Sequence, residues 1–146
     1  MSKSLFLVDT NILVYADDEG SSFYQLMKSF LEENLLKHDL AISAQNIIEY
    51  YSLVTNPQRI SKPVSPEATK DRIKKWLETG LYKIISPTIF TPMTLLRILE
   101  KSPLKGPDIF DAYLAATMID NGIDTICTAD EKIFQRLGLK TINPLT

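Results

Sequence analysis

The chain has 146 residues, enough for one domain with a hydrophobic core and too few for two comfortable ones. It is 45% hydrophobic and 23% charged, as soluble globular proteins are, and its formal net charge of -2 argues against a strongly basic protein that coats nucleic acid. Cys127 is the only cysteine, which excludes an intrachain disulfide and a cysteine-based zinc cluster. No apolar run reaches membrane-spanning length, so we expect one domain over residues 1–146, without a membrane segment, in the reducing cytoplasm.

The first half of the chain alternates short apolar runs with helical spacing of apolar residues. The pattern predicts strands at 5–8 and 40–42, a helix from about 21 to 37, and a helix from 43 to about 54. Ser21 or Ser22 is placed to cap the first helix, and Ser43 is placed to cap the second. Asp9 and Asn11 follow the first strand directly, at a point where the chain turns into further apolar sequence.

The second half continues the alternation. It predicts helices at 67–79, 92–101, 108–120 and 131–137, with strands at 82–85, 125–127 and 140–142. The helix at 67–79 should bury Ile73, Trp76 and Leu77, and Gly80 should end it. Strands alternating with helices predict an α/β fold: a single three-layer domain with a mostly parallel sheet of about five strands and helices on both faces.

Four acidic residues lie where such a fold brings distant parts of the chain together. Asp9 and Asp130 each follow a predicted strand, whereas Glu49 and Asp111 lie in the first turns of predicted helices. The carboxyl ends of parallel strands, and the helices that start there, share one edge of the sheet, where ligands bind in open α/β folds. Four carboxylates at one edge repel each other, so they are poor as structure but suited to a hard divalent cation.

Each acid also has an ordinary structural explanation. Asp9, Asn11 or Asp130 can cap the helix that follows it, and Glu49 can lie on a solvent-exposed helix face. Asp108 and Asp111 compete for one role, because residues three apart point to roughly the same side of a helix. Pro107 favours an extended Gly106 and a helix that begins nearby, so we assign helix capping to Asp108 and metal binding to Asp111.

Other chemistries find little support in the sequence. His38 is the only histidine and falls in a charged segment, and five glycines form no phosphate-binding loop. Cations that can contact phosphate groups are expected in loops near the acidic edge, at Arg59, Lys62 and Lys105.

Four short motifs, in this order and spacing, resemble the PIN domain, and most closely the VapC-like toxins of toxin–antitoxin pairs: Val8-Asp9-Thr10-Asn11, Glu49 within 43–50, the segment 111–117, and Thr128-Ala129-Asp130. The resemblance covers essentially the whole chain. It implies Mg²⁺ or Mn²⁺ binding and catalysis by Asp9, Glu49, Asp111 and Asp130, supported by Thr10 and Asn11, with cleavage of single-stranded RNA. It also implies a homodimer and an antitoxin partner.

Two other functions remain open from the sequence. A phosphatase of the haloacid-dehalogenase kind would use Asp9 as its nucleophile, but it needs a second Asp two residues on, where this chain has Asn11. A non-catalytic PIN-like module would bind protein or RNA without needing all four acids. For a homodimer, the apolar-rich helices at 23–36 and 92–99 are the candidate interfaces.

Overall fold

The computed structural model describes residues 4–146 and contains one five-stranded sheet. Its elements, in chain order, are β1 (Leu5–Val8), α1 (Thr10–Tyr15), α2 (Tyr24–Lys37), β2 (Asp39–Ser43), α3 (Ala44–Val54), α4 (Pro66–Thr79), β3 (Lys83–Ile85), α5 (Thr91–Lys101), α6 (Asp108–Asp120), β4 (Thr125–Cys127), α7 (Glu131–Arg136) and β5 (Lys140–Ile142). The sheet is parallel throughout, in the order β3-β2-β1-β4-β5. The predicted α/β fold is confirmed, with a sheet that is entirely rather than mostly parallel.

The sheet lies between two layers of helices, because its strands are apolar on both faces. In the central strand β1, Leu7 pairs with Ala41 of β2 and Ile126 of β4, and all three side chains are fully buried. One core cluster packs α1 to α4 against the sheet, through residues such as Met27, Tyr50 and Trp76. The other packs α5 to α7, through residues such as Ile98, Met118 and Phe134.

Helix boundaries follow from identifiable caps. Ser43 caps α3 as predicted: its Oγ accepts from the Asn46 backbone N–H at 3.0 Å, and the Ser43 backbone N–H donates to Asn46 Oδ1 at 2.9 Å. Ser65 caps α4 in the same way, with Pro66 in the first turn. Gly80 ends α4 with a φ of 67°, a left-handed conformation that glycine adopts without steric cost, as the sequence predicted.

Two details of the helix predictions were wrong. Helix α2 begins at Tyr24 rather than at a cap on Ser21 or Ser22, because Ser21 Oγ instead accepts from the Phe23 backbone N–H in a turn before the helix. Leu77 is 52% exposed, although Trp76 is buried. Successive helical residues are about 100° apart, so a narrow contact that buries Trp76 leaves its neighbour in solvent.

Candidate active site

The four predicted acids lie together at the carboxyl edge of the sheet. Asp9 follows β1 as the N-cap of α1, and its backbone N–H donates to the Cys127 carbonyl at the end of β4 at 2.9 Å. Asp130 precedes α7, just after β4. Glu49 projects from the second turn of α3, which starts directly after β2, and Asp111 lies in the first turn of α6. The topology therefore brings four separate segments of the chain to one place.

Asp9 is tied to the end of β4 through Thr128. The Thr128 hydroxyl donates to Asp9 Oδ2 at 2.8 Å and accepts from the Asp130 backbone N–H at 3.0 Å. The other carboxylate oxygen, Asp9 Oδ1, accepts from the Thr10 backbone N–H at 2.8 Å. Asp9 therefore caps α1 and also belongs to the acidic cluster, so the capping and site explanations hold together.

Thr10 and Asn11 connect the other side of the cluster. The Thr10 hydroxyl accepts from the buried Asn46 Nδ2 at 2.9 Å and lies 3.5 Å from Glu49 Oε1, to which it donates. Asn11 Oδ1 accepts from the Ala129 backbone N–H at 3.4 Å. These bonds join α1 to α3 and to the segment after β4, which fixes the relative positions of the acids.

Sequence reasoning missed two residues of this network, Asn46 and Thr128. A signal existed for each. Asn46 stands three residues after the capping Ser43, and Thr128 is the first polar residue after β4. Both were readable as local features, but neither spacing indicates the partner that lies far away in sequence.

The carboxylates at this edge hold protons more tightly than usual. Burial raises the pKa of Asp9 to about 6; hydrogen bonds from Thr128 and Thr10 oppose this, and repulsion from Glu49 and Asp130 adds to it. Burial, followed by repulsion from Asp9, Asp130 and Asp108, also raises the pKa of Asp111 to about 6. The pKa of Glu49 is raised by burial and by Asp111. The four acids therefore form one electrostatically coupled group.

The capping role predicted for Asp108 was wrong. Pro107 is the N-cap of α6, and Asp108 is the exposed first residue of that helix without a capping hydrogen bond. Gly106 has a φ of 59° instead of an extended conformation, which brings the chain into the helix one residue earlier than expected. Asp111 shares its side of α6 with the buried Leu114, Ala115 and Met118, as predicted.

The three predicted phosphate contacts occupy different positions. Lys105 lies on the loop just before α6, close along the chain to Asp111. Arg59 and Lys62 come after the C-terminal end of α3, so the rest of that helix separates them from Glu49. Lys62 Nζ is 4.0 Å from Glu19 Oε2, an exposed pair.

Comparison with known proteins decides the family. Residues 6–140 match the model of the PIN domain family. The chain belongs to the PIN domain family. Ribonuclease VapC24 of Mycobacterium tuberculosis is 29% identical over 149 aligned positions, which cover 95% of this PIN domain chain and 96% of the relative.

Solved structures share the PIN fold. VapBC2 from Rickettsia felis, bound to a DNA fragment from its promoter, aligns with a TM-score of 0.67 at 23% identity, covering 95% of this chain and 98% of that one. VapC20 of Mycobacterium tuberculosis, a toxin that cleaves the sarcin-ricin loop, aligns with a TM-score of 0.67 at 14% identity, covering 93% and 96%. Across residues 4–146 of this PIN domain, no helix combines the length and apolarity that a membrane crossing requires.

The donors at the acidic edge of this PIN domain suit a hard cation. They are carboxylate oxygens with threonine hydroxyls beside them, the ligand type that Mg²⁺ and Mn²⁺ prefer. Within residues 4–146, however, no three acidic, histidine or cysteine side chains form a group that could hold one ion between them. Mg²⁺ keeps several waters and takes only one or two carboxylates directly. The donor set therefore fits an ion that some acids reach through water.

The raised pKa values predict how stability depends on pH in chelator. Asp9 and Asp111 ordinarily titrate at 3.8 but hold their protons to about 6 in the folded chain. Between these values the folded state binds more protons than the unfolded state, so the free energy of unfolding contributed by each group falls as pH rises, by on the order of 2 kcal/mol.

Urea denaturation from pH 4 to 7 in chelator measures this effect. We compare the parent with the double variant Asp9→Asn/Asp111→Asn, which lacks both titrations but keeps all other ionisable groups. The difference in free energy of unfolding, variant minus parent, should grow with pH across this window. A constant difference would show that the two carboxyls titrate normally.

Proposed function

We propose that the protein is a metal-dependent endoribonuclease of the VapC toxin type, which cleaves single-stranded RNA in the cytoplasm. The observation that carries this proposal is the coupled group of Asp9, Glu49, Asp111 and Asp130 at one sheet edge, where burial and mutual repulsion raise the pKa values of Asp9, Glu49 and Asp111. Such a group stores repulsion that a cation relieves. The relative VapC24 is named a ribonuclease, which supports the same reaction here.

The four acids would hold Mg²⁺ or Mn²⁺. When bound, a divalent ion supplies hydroxide from water and offsets charge that develops on the phosphoryl group. The chain's own contribution is positioning. Thr128 fixes the orientation of the Asp9 carboxylate, while Asn46 orients the Thr10 hydroxyl toward Glu49. Because these bonds form without substrate, little rearrangement of the acids is needed at the moment of reaction.

An apolar groove beside Glu49 supports a single-stranded substrate. It has a volume of about 570 Å³, and its lining includes Ile48, Phe110 and Tyr113. Ile48 is 71% and Phe110 62% exposed, so both present apolar surface next to the acids. Bases of a single strand can stack on such side chains, whereas paired bases are already stacked within a duplex. Lys105, Arg59 and Lys62 would contact the phosphates.

The proposal is tested by incubating labelled RNA with the protein and Mg²⁺ or Mn²⁺. We expect internal cleavage of a single strand and much slower cleavage of the same sequence in a perfect duplex. Hydrolysis of p-nitrophenyl phosphate with intact RNA would instead favour the phosphatase, and RNA binding without cleavage would favour the non-catalytic module. The protein should also form a complex with an antitoxin, since the structural neighbour VapBC2 is a toxin–antitoxin complex.

We also propose a homodimer that forms through α5. The N-terminal part of this helix carries apolar side chains in solvent: Phe90 is 69%, Met93 54% and Leu96 54% exposed, and Ile89 before it is 88% exposed. A contiguous patch of this kind is typical of an interface. Helix α2, the other candidate from the sequence, exposes Leu26 and Leu36.

Sedimentation of variants distinguishes the two helices. Phe90→Ser/Met93→Ser should convert a dimer to a monomer at low micromolar concentration, because it removes apolar area from the interface. Leu26→Ser/Leu36→Ser should remain dimeric. All four side chains are more than 40% exposed, so neither double variant should unfold. A monomeric parent at high micromolar concentration would contradict the dimer, and the opposite pattern between the variants would place the interface on α2.

A further inference from the structure

A second groove lies away from the acidic edge, between α5, α6 and the end of α7. Its volume is about 490 Å³, and three cationic side chains line it: Arg97, Lys101 and Arg136. No residue of this cationic groove belongs to the acidic cluster. Along α6, Asp120 in the groove is nine residues from Asp111, which corresponds to about 14 Å of helix. In a chain with a net charge of -2, three cations around one concavity form a distinct positive feature.

The three cations have no ion-pair partner in the part of the chain that the structure describes. The carboxylate in the lining, Asp120, is engaged on both oxygens: Thr91 donates to it at 2.7 Å and Thr94 at 2.8 Å. These bonds pin Asp120 to α5. Arg136 Nη2 donates to the Pro103 carbonyl at 3.3 Å, which holds one side of its guanidinium and leaves its other N–H groups for a ligand.

The remaining lining is apolar, and it includes Ile98, Ile119 and Leu137. A concave site of this size with an apolar lining and a few charged groups is typical of small-ligand sites. Arginine and lysine at its rim select for phosphate, since guanidinium donors match phosphate oxygens in geometry and charge. The combination of a cationic rim and an apolar lining fits one phosphorylated nucleotide unit, with its base or sugar against the apolar residues.

We propose that this cationic groove binds a phosphate-bearing nucleotide unit of an RNA strand, at a position remote from the acidic edge. The inference rests on the proposed ribonuclease function for the identity of the ligand, and it deepens that function. An RNA long enough to reach both places gains affinity from the groove, whereas a short one gains none. The protein would thus prefer long or structured RNA to short fragments, and would release its short products.

Salt-dependent RNA binding tests the groove. The groove variant is Arg97→Gln/Lys101→Gln/Arg136→Gln, and the matched control, Lys70→Gln/Lys74→Gln/Lys75→Gln, removes the same charge from the exposed face of α4. Fluorescence anisotropy in chelator measures binding without cleavage. For single strands, each phosphate contact contributes about 0.7 to the slope of log affinity against log salt. We expect the groove variant to lower this slope by about 2 for an RNA of about 16 nucleotides, and the control to leave it unchanged.

Further arms identify the source of the phosphate. With an RNA of about four nucleotides, the groove variant and the parent should bind alike, because such a strand cannot reach both sites. Adenosine monophosphate is titrated by calorimetry. Binding that the groove variant loses, together with an unchanged RNA slope, would identify a free nucleotide as the ligand and overturn the assignment to RNA. An equal loss of slope in both triple variants, or in neither, would also overturn it.

The outcome is independent of whether the protein cleaves RNA. Melting temperatures of both triple variants should equal that of the parent, because the substituted side chains are exposed. A parent that binds RNA through the groove but does not cleave it would contradict the proposed function alone. A parent that cleaves RNA, with a salt slope that the groove variant does not alter, would contradict the groove alone.

Discussion

Replacing Asp9 with asparagine is expected to reduce RNA cleavage by about 100-fold or more without lowering stability. Asparagine keeps an oxygen that can accept from the Thr10 backbone N–H, which Asp9 Oδ1 now accepts at 2.8 Å. It removes the charge that a cation needs. It also removes the repulsion that Glu49 and Asp130 exert on Asp9, so the melting temperature in chelator should rise at neutral pH.

Asp71→Asn is the matched control, because Asp71 is an exposed carboxylate on α4. It should leave both the cleavage rate and the melting temperature at the parent values. Cleavage by Asp9→Asn at close to the parent rate would remove Asp9 from the mechanism. A large fall in its melting temperature would mean that the Asp9 charge stabilises the fold instead of straining it.

The second large effect concerns the neighbouring acids of α6. Asp111→Asn should reduce cleavage by about 100-fold, because its partly buried carboxylate is coupled to Asp9 and Asp130. Asp108→Asn should change the rate by only a few-fold, since Asp108 is exposed and its charge acts on the cluster only through Asp111. Because Asp108 makes no capping bond, its loss should cost only the interaction with the helix dipole, about 0.5 kcal/mol.

Steady-state cleavage and thermal melting of both variants measure these effects. The two substitutions change the same charge three residues apart, so a general change in the electrostatic field would reduce both rates similarly. A larger rate loss in Asp108→Asn than in Asp111→Asn would assign the catalytic role to the wrong acid. A large loss of stability in either would give the residue a structural role.

The sequence predicted the fold because the strongest signals were local. Continuous apolar runs marked β1 and β4, Ser43 marked the start of α3, and Gly80 marked the end of α4. Strand order was not predicted, since pairing depends on contacts between distant segments. The convergence of the acids followed from one general rule of parallel sheets, which relates the ends of strands to the starts of helices.

What the sequence could not predict was the set of long-range hydrogen bonds. Thr128 donates to Asp9 across 119 positions, and Asn46 reaches Thr10 across 36. The cationic groove was missed for the same reason, because Arg97 and Arg136 come from helices that only the fold brings together. The capping assignment of Asp108 failed for a local reason, since the left-handed Gly106 let Pro107 take the cap position.

Titration of Mn²⁺ into chelator-stripped protein tests the central claim, that the acidic edge binds a divalent ion used in RNA cleavage. Melting temperature and cleavage of a labelled single-stranded RNA are followed in the same samples. We predict that both rise together over one range of Mn²⁺ concentration in the parent, and that neither responds in Asp9→Asn. A parent that cleaves RNA as fast in chelator as in saturating Mn²⁺ would contradict the account.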